Sequence, residues 1–193
     1  MIIVFEGGDQ AGKLTQSTLL EKALKKRKIK TKLFHFPDYS TPIGKEIRKY
    51  LDGKRKFPPQ TIHCLLAANR WEKLNQILEA QEKNSVLIMN RYYHSNLVYG
   101  VANGMKQKWL ESLDDGLPKA DLVILLDVTQ KESFHRQKTH RDKFEKNEEF
   151  LRKISKIYQR IAKKKHWKII DASNSKQEVH EEIMKTFSKK IGI

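Results

Sequence analysis

The chain has a single cysteine, Cys64, in 193 residues. No intramolecular disulfide can form, so a reducing cytoplasm is the expected compartment. No apolar run approaches the roughly 20 residues that span a bilayer, and no membrane partner is expected. The opening MIIVFEGGDQ lacks a basic segment ahead of its apolar stretch, which is only a strand long, so it reads as a strand and not as a signal peptide. The seven histidines (His35, His63, His94, His135, His140, His166 and His180) show no metal-ligand spacing, so no zinc site is expected. Cys64 falls on an apolar helical stretch and is expected in the core. Internal repeats and low-complexity linkers are absent. Acidic residues are also scarce, 23 against 39 Lys and Arg, for a net charge of +16. Such a surface gathers polyanions, nucleotides included. However, Lys25, Lys26, Lys153, Lys156, Lys163 and Lys164 scatter over helix surfaces and form no arginine and aromatic stripe. The expectation is a solvated, lysine-rich surface with no nucleic-acid partner.

What is present is an alternation of short apolar runs with longer helical stretches. Strands are expected at Ile2–Phe5, Lys30–Phe36, Ser85–Met89, Leu122–Leu126 and Lys168–Ile170. Helices are expected at 13–27, at 59–82 behind Pro58 and Pro59, at 148–164, and from about Lys176 to Lys189. Trp71 and Trp109 read as packing residues, and Glu148 and Glu149 as partners of a helix dipole. The pattern predicts one α/β domain over 1–193, a parallel sheet with helices on both faces. Residues 136–147, RQKTHRDKFEKN, have no hydrophobic period and read as a mobile surface segment.

The strongest chemical signal is GGDQAGKLT at 7–15, directly after the first strand and opening the first helix. Gly7, Gly8 and Gly12 let the backbone curl so that amides from Asp9, Gln10, Ala11 and their neighbours face one anion. The helix N-terminus adds its partial positive charge. Lys13 supplies a full charge able to follow a phosphoryl group. Leu14 stands where a Ser or Thr normally offers Mg²⁺ a hydroxyl, and Thr15 points roughly 100° away from that position.

Further segments follow in order: FPDYSTPIG at 36–44, LLAANRWE at 65–72, RYYHSNLVYG at 91–100, DGLPKADLVILLDV at 115–128 and DASNSKQEVHEEI at 171–183. With FEGGDQAGK at 5–13, they make the chain resemble the thymidylate kinase family over essentially its whole length. The resemblance implies a P-loop NTPase of three layers, α/β/α, with a five-stranded parallel sheet. It further implies ATP and Mg²⁺ as cofactors, dTMP as acceptor, a homodimer, and the reaction ATP + dTMP giving ADP + dTDP. By position, Asp9 would touch the acceptor sugar, and Phe36 and Pro37 would shape its pocket. Arg70 would bond the pyrimidine edge with Asn69 supporting it, and Arg91 would hold the acceptor phosphate. Ser95, Asn96 and Tyr99 would line base and sugar, and Arg136 would lie against the adenine or the phosphates. The segment at 136–147 would be a lid over ATP. Gln10 stands where some relatives carry an arginine, so the lid would supply the transition-state cation, Arg141 first and Lys143 second.

Four positions depart from the usual family pattern: Leu14, Asn90 in place of an aspartate before Arg91, Tyr39 in place of an arginine, and Leu66 in place of a phenylalanine. Leu14 and Asn90 both loosen the hold on Mg²⁺. They leave open a nucleotide-binding relative with impaired transfer, and Leu66 leaves open another acceptor such as dUMP. A basic nucleic-acid binder built on the same scaffold is the third alternative.

Overall fold

A computed structural model describes residues 1–83, 86–128 and 148–192. Five strands, β1 (Ile2–Glu6), β2 (Thr31–His35), β3 (Val86–Asn90), β4 (Leu122–Asp127) and β5 (Lys168–Asp171), form one all-parallel sheet in the order β2-β3-β1-β4-β5. The central strand, β1, is buried at every residue, as a strand covered on both faces must be. Its period of two sends Ile3 and Phe5 to one face and Ile2 and Val4 to the other. The first face packs on α1 (Lys13–Lys26) and the C-terminal helix with Leu20, Leu24, Ile183 and Phe187. The second packs with Phe34, Phe36, Ile77 and Tyr92. At the sheet edge, β2 buries only Phe34 of its five residues, so its other positions are free to be polar.

The remaining helices among the described residues are α2 (Pro42–Leu51), α3 (Pro59–Trp71), α4 (Leu74–Glu82), α5 (Tyr93–Ala102), α6 (Gln107–Ser112), α7 (Glu148–Lys164) and α8 (Lys176–Ile191). Glu148 and Glu149 do fall in the first turn of α7. The single helix expected over 59–82 is in fact two. At the joint the Lys73 amide bonds Arg70 three residues back, one residue too tightly for an α-helix, while the Lys73 ammonium pairs with Asp38 at 2.7 Å. This re-aims the chain, so that α3 packs on α2 and α5 while α4 packs on β3. Leu78 is consequently 42% exposed. Cys64 is also exposed, contrary to expectation, because the buried stripe of α3 runs through Ile62, His63, Ala67, Asn69 and Arg70. The Trp71 indole is only partly packed: it stacks against Gly116 and donates to the Leu113 carbonyl at 2.9 Å. Helix α5 spreads its apolar residues too evenly, and α6 is too short, for periodicity to reveal; α2 does carry Ile43, Ile47, Tyr50 and Leu51 at helical spacing, yet it is absent from the expected helices. No described helix is long and apolar enough to cross a membrane.

Candidate active site

The loop between β1 and α1 is shaped by backbone. Gly7 has φ of 143°, and a Cβ there would lie 2.4 Å from the Leu126 carbonyl oxygen, so only glycine fits beside β4. Gly12 caps α1 in the left-handed region, and no side chain caps the helix or places a carboxylate in its first turn. The N-terminal amides are therefore arranged as an anion site. The Lys13 ammonium folds back over the loop, donating to Gly7 O at 3.0 Å and Gly8 O at 2.6 Å. Leu14 is 59% exposed and Thr15 also faces solvent, as does Gln10. Around them runs a cavity of about 680 Å³, lined by residues 9–16, by His35 and Asn90 at the strand ends, and by Ala172, Asn174, Lys176 and Val179 beyond β5. These last four were not anticipated individually. Only the DASNSKQEV segment hinted at them, and its place beside the loop is fixed by Gln16, whose amide donates to the Lys176 carbonyl at 2.9 Å.

A second, narrower cavity opens on the other side of the loop. Asp9, Phe36, Pro37, Tyr39 and Arg91 line both cavities; Leu66, Arg70, Ser95, Asn96 and Tyr99 line only the narrow one. Arg91 sits at the junction in the left-handed region, φ 64°, its amide held by Phe5 O at 3.0 Å. A non-glycine residue in that conformation costs on the order of 1 kcal/mol and is common at functional sites. Its guanidinium pairs with Asp9 and donates to Gly7 O at 3.2 Å and Ser95 Oγ at 3.0 Å, and it lies 5.7 Å from the Tyr99 ring centroid. Lys13, from the larger cavity, and Arg91, which lines both, thus share the Gly7 carbonyl. Burial would push the Asp9 carboxyl up. The charges of Arg91 and Lys13 and the hydrogen bonds from Tyr99 and Arg91 outweigh it and hold Asp9 below the usual carboxylate range.

Asn69 does not support Arg70, as had been expected. Its amide bonds both backbone groups of Asp38, at 2.7 and 3.1 Å, and Thr41 Oγ1 at 2.9 Å, fixing the turn that carries Phe36, Pro37 and Tyr39. Thr41 in turn caps α2, and Gly44 lets α2 press on that turn, since a Cβ there would meet Asp38 O at 1.8 Å. Arg70 is instead gripped by Asp114, Nε to Oδ1 at 2.7 Å and Nη2 to Oδ2 at 2.8 Å, both side chains buried. The fork of Asp114 occupies one edge of the guanidinium, and Arg70 still lines the narrow cavity. Asn96 is held by His63, Nδ1 to Oδ1 at 2.5 Å, with its Nδ2 donating to the His63 carbonyl at 3.2 Å. Tyr39 is exposed, with the Arg48 guanidinium 5.5 Å above its ring. Asp114, His63 and Glu6 escaped the sequence reading because their partners lie 44, 33 and about 90 residues away.

Among the described residues no three His, Cys, Asp or Glu side chains gather as a metal cage. Asn90 Oδ1 is buried without a hydrogen-bond partner, and Asp9 stands beside the same cavity. This sparse donor set suits a hard cation that arrives on phosphates and keeps most of its water. Arg136, Arg141 and Lys143 lie outside the described residues.

A parallel sheet with a glycine-rich anion loop after its central strand, and a second cavity meeting that loop at an arginine, defines a P-loop nucleotide kinase. The thymidylate kinase family profile matches residues 5–183. The thymidylate kinase of Schizosaccharomyces pombe is 38% identical over 95% of this chain and 89% of its own, and that of Homo sapiens 35% identical over 94% and 87%. The solved thymidylate kinase of Candida albicans superposes with a TM-score of 0.87 at 30% identity, covering 97% of this chain and 91% of that one. The chain belongs to the thymidylate kinase family.

Proposed function

We propose that this protein transfers the terminal phosphoryl group of ATP to dTMP, giving ADP and dTDP. The observation that carries the reading is the junction of the two cavities, where Lys13 and Arg91 meet on one carbonyl. ATP phosphates lie on the loop amides with Lys13, and the acceptor phosphate lies on Arg91. An anionic acceptor oxygen attacks the terminal phosphorus in line. The bond to the bridging oxygen breaks, and its electron pair leaves on ADP. The acceptor oxygen already carries charge, so no general base is needed. Arg70 bonds the pyrimidine edge while Asp114 fixes the guanidinium plane. Leu66 and Phe36 give the base an apolar bed, and Tyr99 and Asp9 border the sugar. Mg²⁺, when bound, neutralises charge on the transferring phosphates. Asn90 and Asp9, which line the same cavity, would be the side chains to hold its waters.

The cation that follows the transferring charge comes from 136–147, with Arg141 first, then Lys143 and Arg136. Arg141→Ala is expected to lower turnover on the order of 10³-fold while ATP affinity falls far less; equal losses in both would refute the role. The family resemblance supports a homodimer, and the lone unpaired cysteine supports the cytoplasm.

The direct test incubates the protein with ATP, Mg²⁺ and each of dTMP, dUMP, UMP, CMP and AMP, separating products by chromatography. dTDP is expected to form fastest. Binding of ATP and dTMP with no turnover of any acceptor would overturn the proposal, and faster turnover of dUMP would reassign the acceptor.

A further inference from the structure

Behind Arg91 lies a buried polar group to which the reaction above assigns no task. Glu6, the last residue of β1, is wholly buried, and four donors converge on it. Oε1 accepts from the Tyr92 amide at 3.0 Å and the Ser95 amide at 3.2 Å. Oε2 accepts from Ser95 Oγ at 2.5 Å and from the Tyr158 hydroxyl at 2.9 Å. Helix α5 has no side-chain cap and no acid of its own in the first turn, so a residue from another strand does that work. Capping alone would use only Oε1.

Oε2 does something different. Ser95 and Tyr158 each have a single hydroxyl proton, and both protons are committed to the same carboxylate oxygen. What each hydroxyl has left is lone pairs, and Arg91 Nη1 donates to both, at 3.0 Å to Ser95 and 3.4 Å to Tyr158. The two hydroxyls are themselves 3.1 Å apart, so they present one acceptor surface. With Gly7 O at 3.2 Å, that surface fixes Nη1, while Asp9 fixes Nη2. A hydroxyl left to choose could turn its proton towards the guanidinium and repel it; Glu6 removes that choice.

We infer that Glu6 and Tyr158 are positioning residues for Arg91, setting the direction of two hydroxyls so that its guanidinium is aimed at the acceptor phosphate. The inference rests on the reading of Arg91 as the acceptor-phosphate residue, and it deepens that reading. It places a residue of α7, which touches neither cavity, in the recognition of the acceptor.

The test compares dTMP with thymidine, which offers the same base and sugar but no phosphate. Binding of both to the wild-type protein, Tyr158→Phe and Glu6→Gln is measured by calorimetry. Tyr158→Phe keeps the ring and removes one acceptor. Glu6→Gln keeps the shape but brings an amide against the hydroxyls, forcing one of them to turn. Each variant is expected to weaken dTMP about tenfold, the worth of one hydrogen bond to a charged group, and to leave thymidine unchanged. In turnover, KM for dTMP should rise while KM for ATP holds. Equal weakening of dTMP and thymidine would mean a merely structural role and would overturn the inference, as would unchanged dTMP binding. Should Glu6→Gln fail to fold, Tyr158→Phe decides alone. Wild-type protein that binds dTMP no better than thymidine would instead sink the assignment of Arg91 itself.

Discussion

The two cavities that meet at Gly7 are built by opposite means. The larger one is made of backbone: a glycine that tolerates no Cβ, a helix end without a side-chain cap, and one lysine lying on its own loop. The smaller one is made of side chains, and its polar ones are held by partners across the fold: Arg70 by Asp114, Asn96 by His63, Arg91 by Asp9 and Ser95. A backbone cradle takes its shape from a few neighbouring residues and tolerates changes such as Leu14. A pocket of buried pairs is as strong as its partners, and removing one leaves a polar group stranded.

Asp114→Ala should break the contrast most visibly. It abandons a guanidinium that is only 2% exposed and should lower stability by about 3–5 kcal/mol, as read from urea denaturation. Damage of under about 1 kcal/mol would mean that Arg70 finds other partners.

Acid probes the same half. Burial pushes the His94 imidazole down to about 3, with the Lys165 and Arg70 charges acting the same way. The unfolded chain takes up that proton near 6.5. The contribution of His94 is therefore complete above pH 6.5 and is lost as pH falls towards 3, by at most about 1.4 kcal/mol per unit. Asp38 adds a further loss from 3.8 down to about 2. Burial opposes its ionisation, but Lys73 and Ser40 hold its carboxyl low. Stability measured against pH in His94→Phe should be flatter between 6.5 and 3, with a residual slope from His63, whose imidazole burial also lowers. An unchanged slope would show that His94 is not the group responsible.

The cradle should respond by gain instead. Leu14→Thr restores a hydroxyl at an exposed position, so it should leave stability alone and lower the Mg²⁺ concentration for half-maximal turnover about tenfold. No change would mean that the cation never approaches residue 14. Smallest of all, Cys64→Ser should shift stability by no more than about 0.5 kcal/mol, because the side chain is exposed; a larger loss would restore it to the core.

The same contrast decides what the sequence could reveal. The five strands and the loop at 7–15 were legible because period, glycine and lysine act over a few residues. The stretch 59–82 was misread as one helix because its apolar spacing runs on through the joint. At the joint the backbone tightens at Lys73, whose ammonium pairs with Asp38, a residue outside the stretch. Arg70 and Arg91 were found only through the resemblance, and Asp114, His63, Glu6 and Tyr158 not at all. No local pattern marks an aspartate as the partner of an arginine 44 residues earlier. Asn69 was assigned to its neighbour in sequence when its work lies across the fold, on Asp38.

The pairing of Arg91 with Asp9 also has a bearing on selectivity against simple anions. The protein as a whole carries +16, and its long-range field draws in chloride, inorganic phosphate and nucleotides alike. At the junction, however, the arginine is already neutralised by a carboxylate of opposite sign. A small ion arriving at Arg91 meets a guanidinium that already has a carboxylate partner, and must compete with it. A nucleotide can replace that balance with contacts along its whole length. Surface charge would set how often anions visit, and the internal ion pair would be what each of them has to displace.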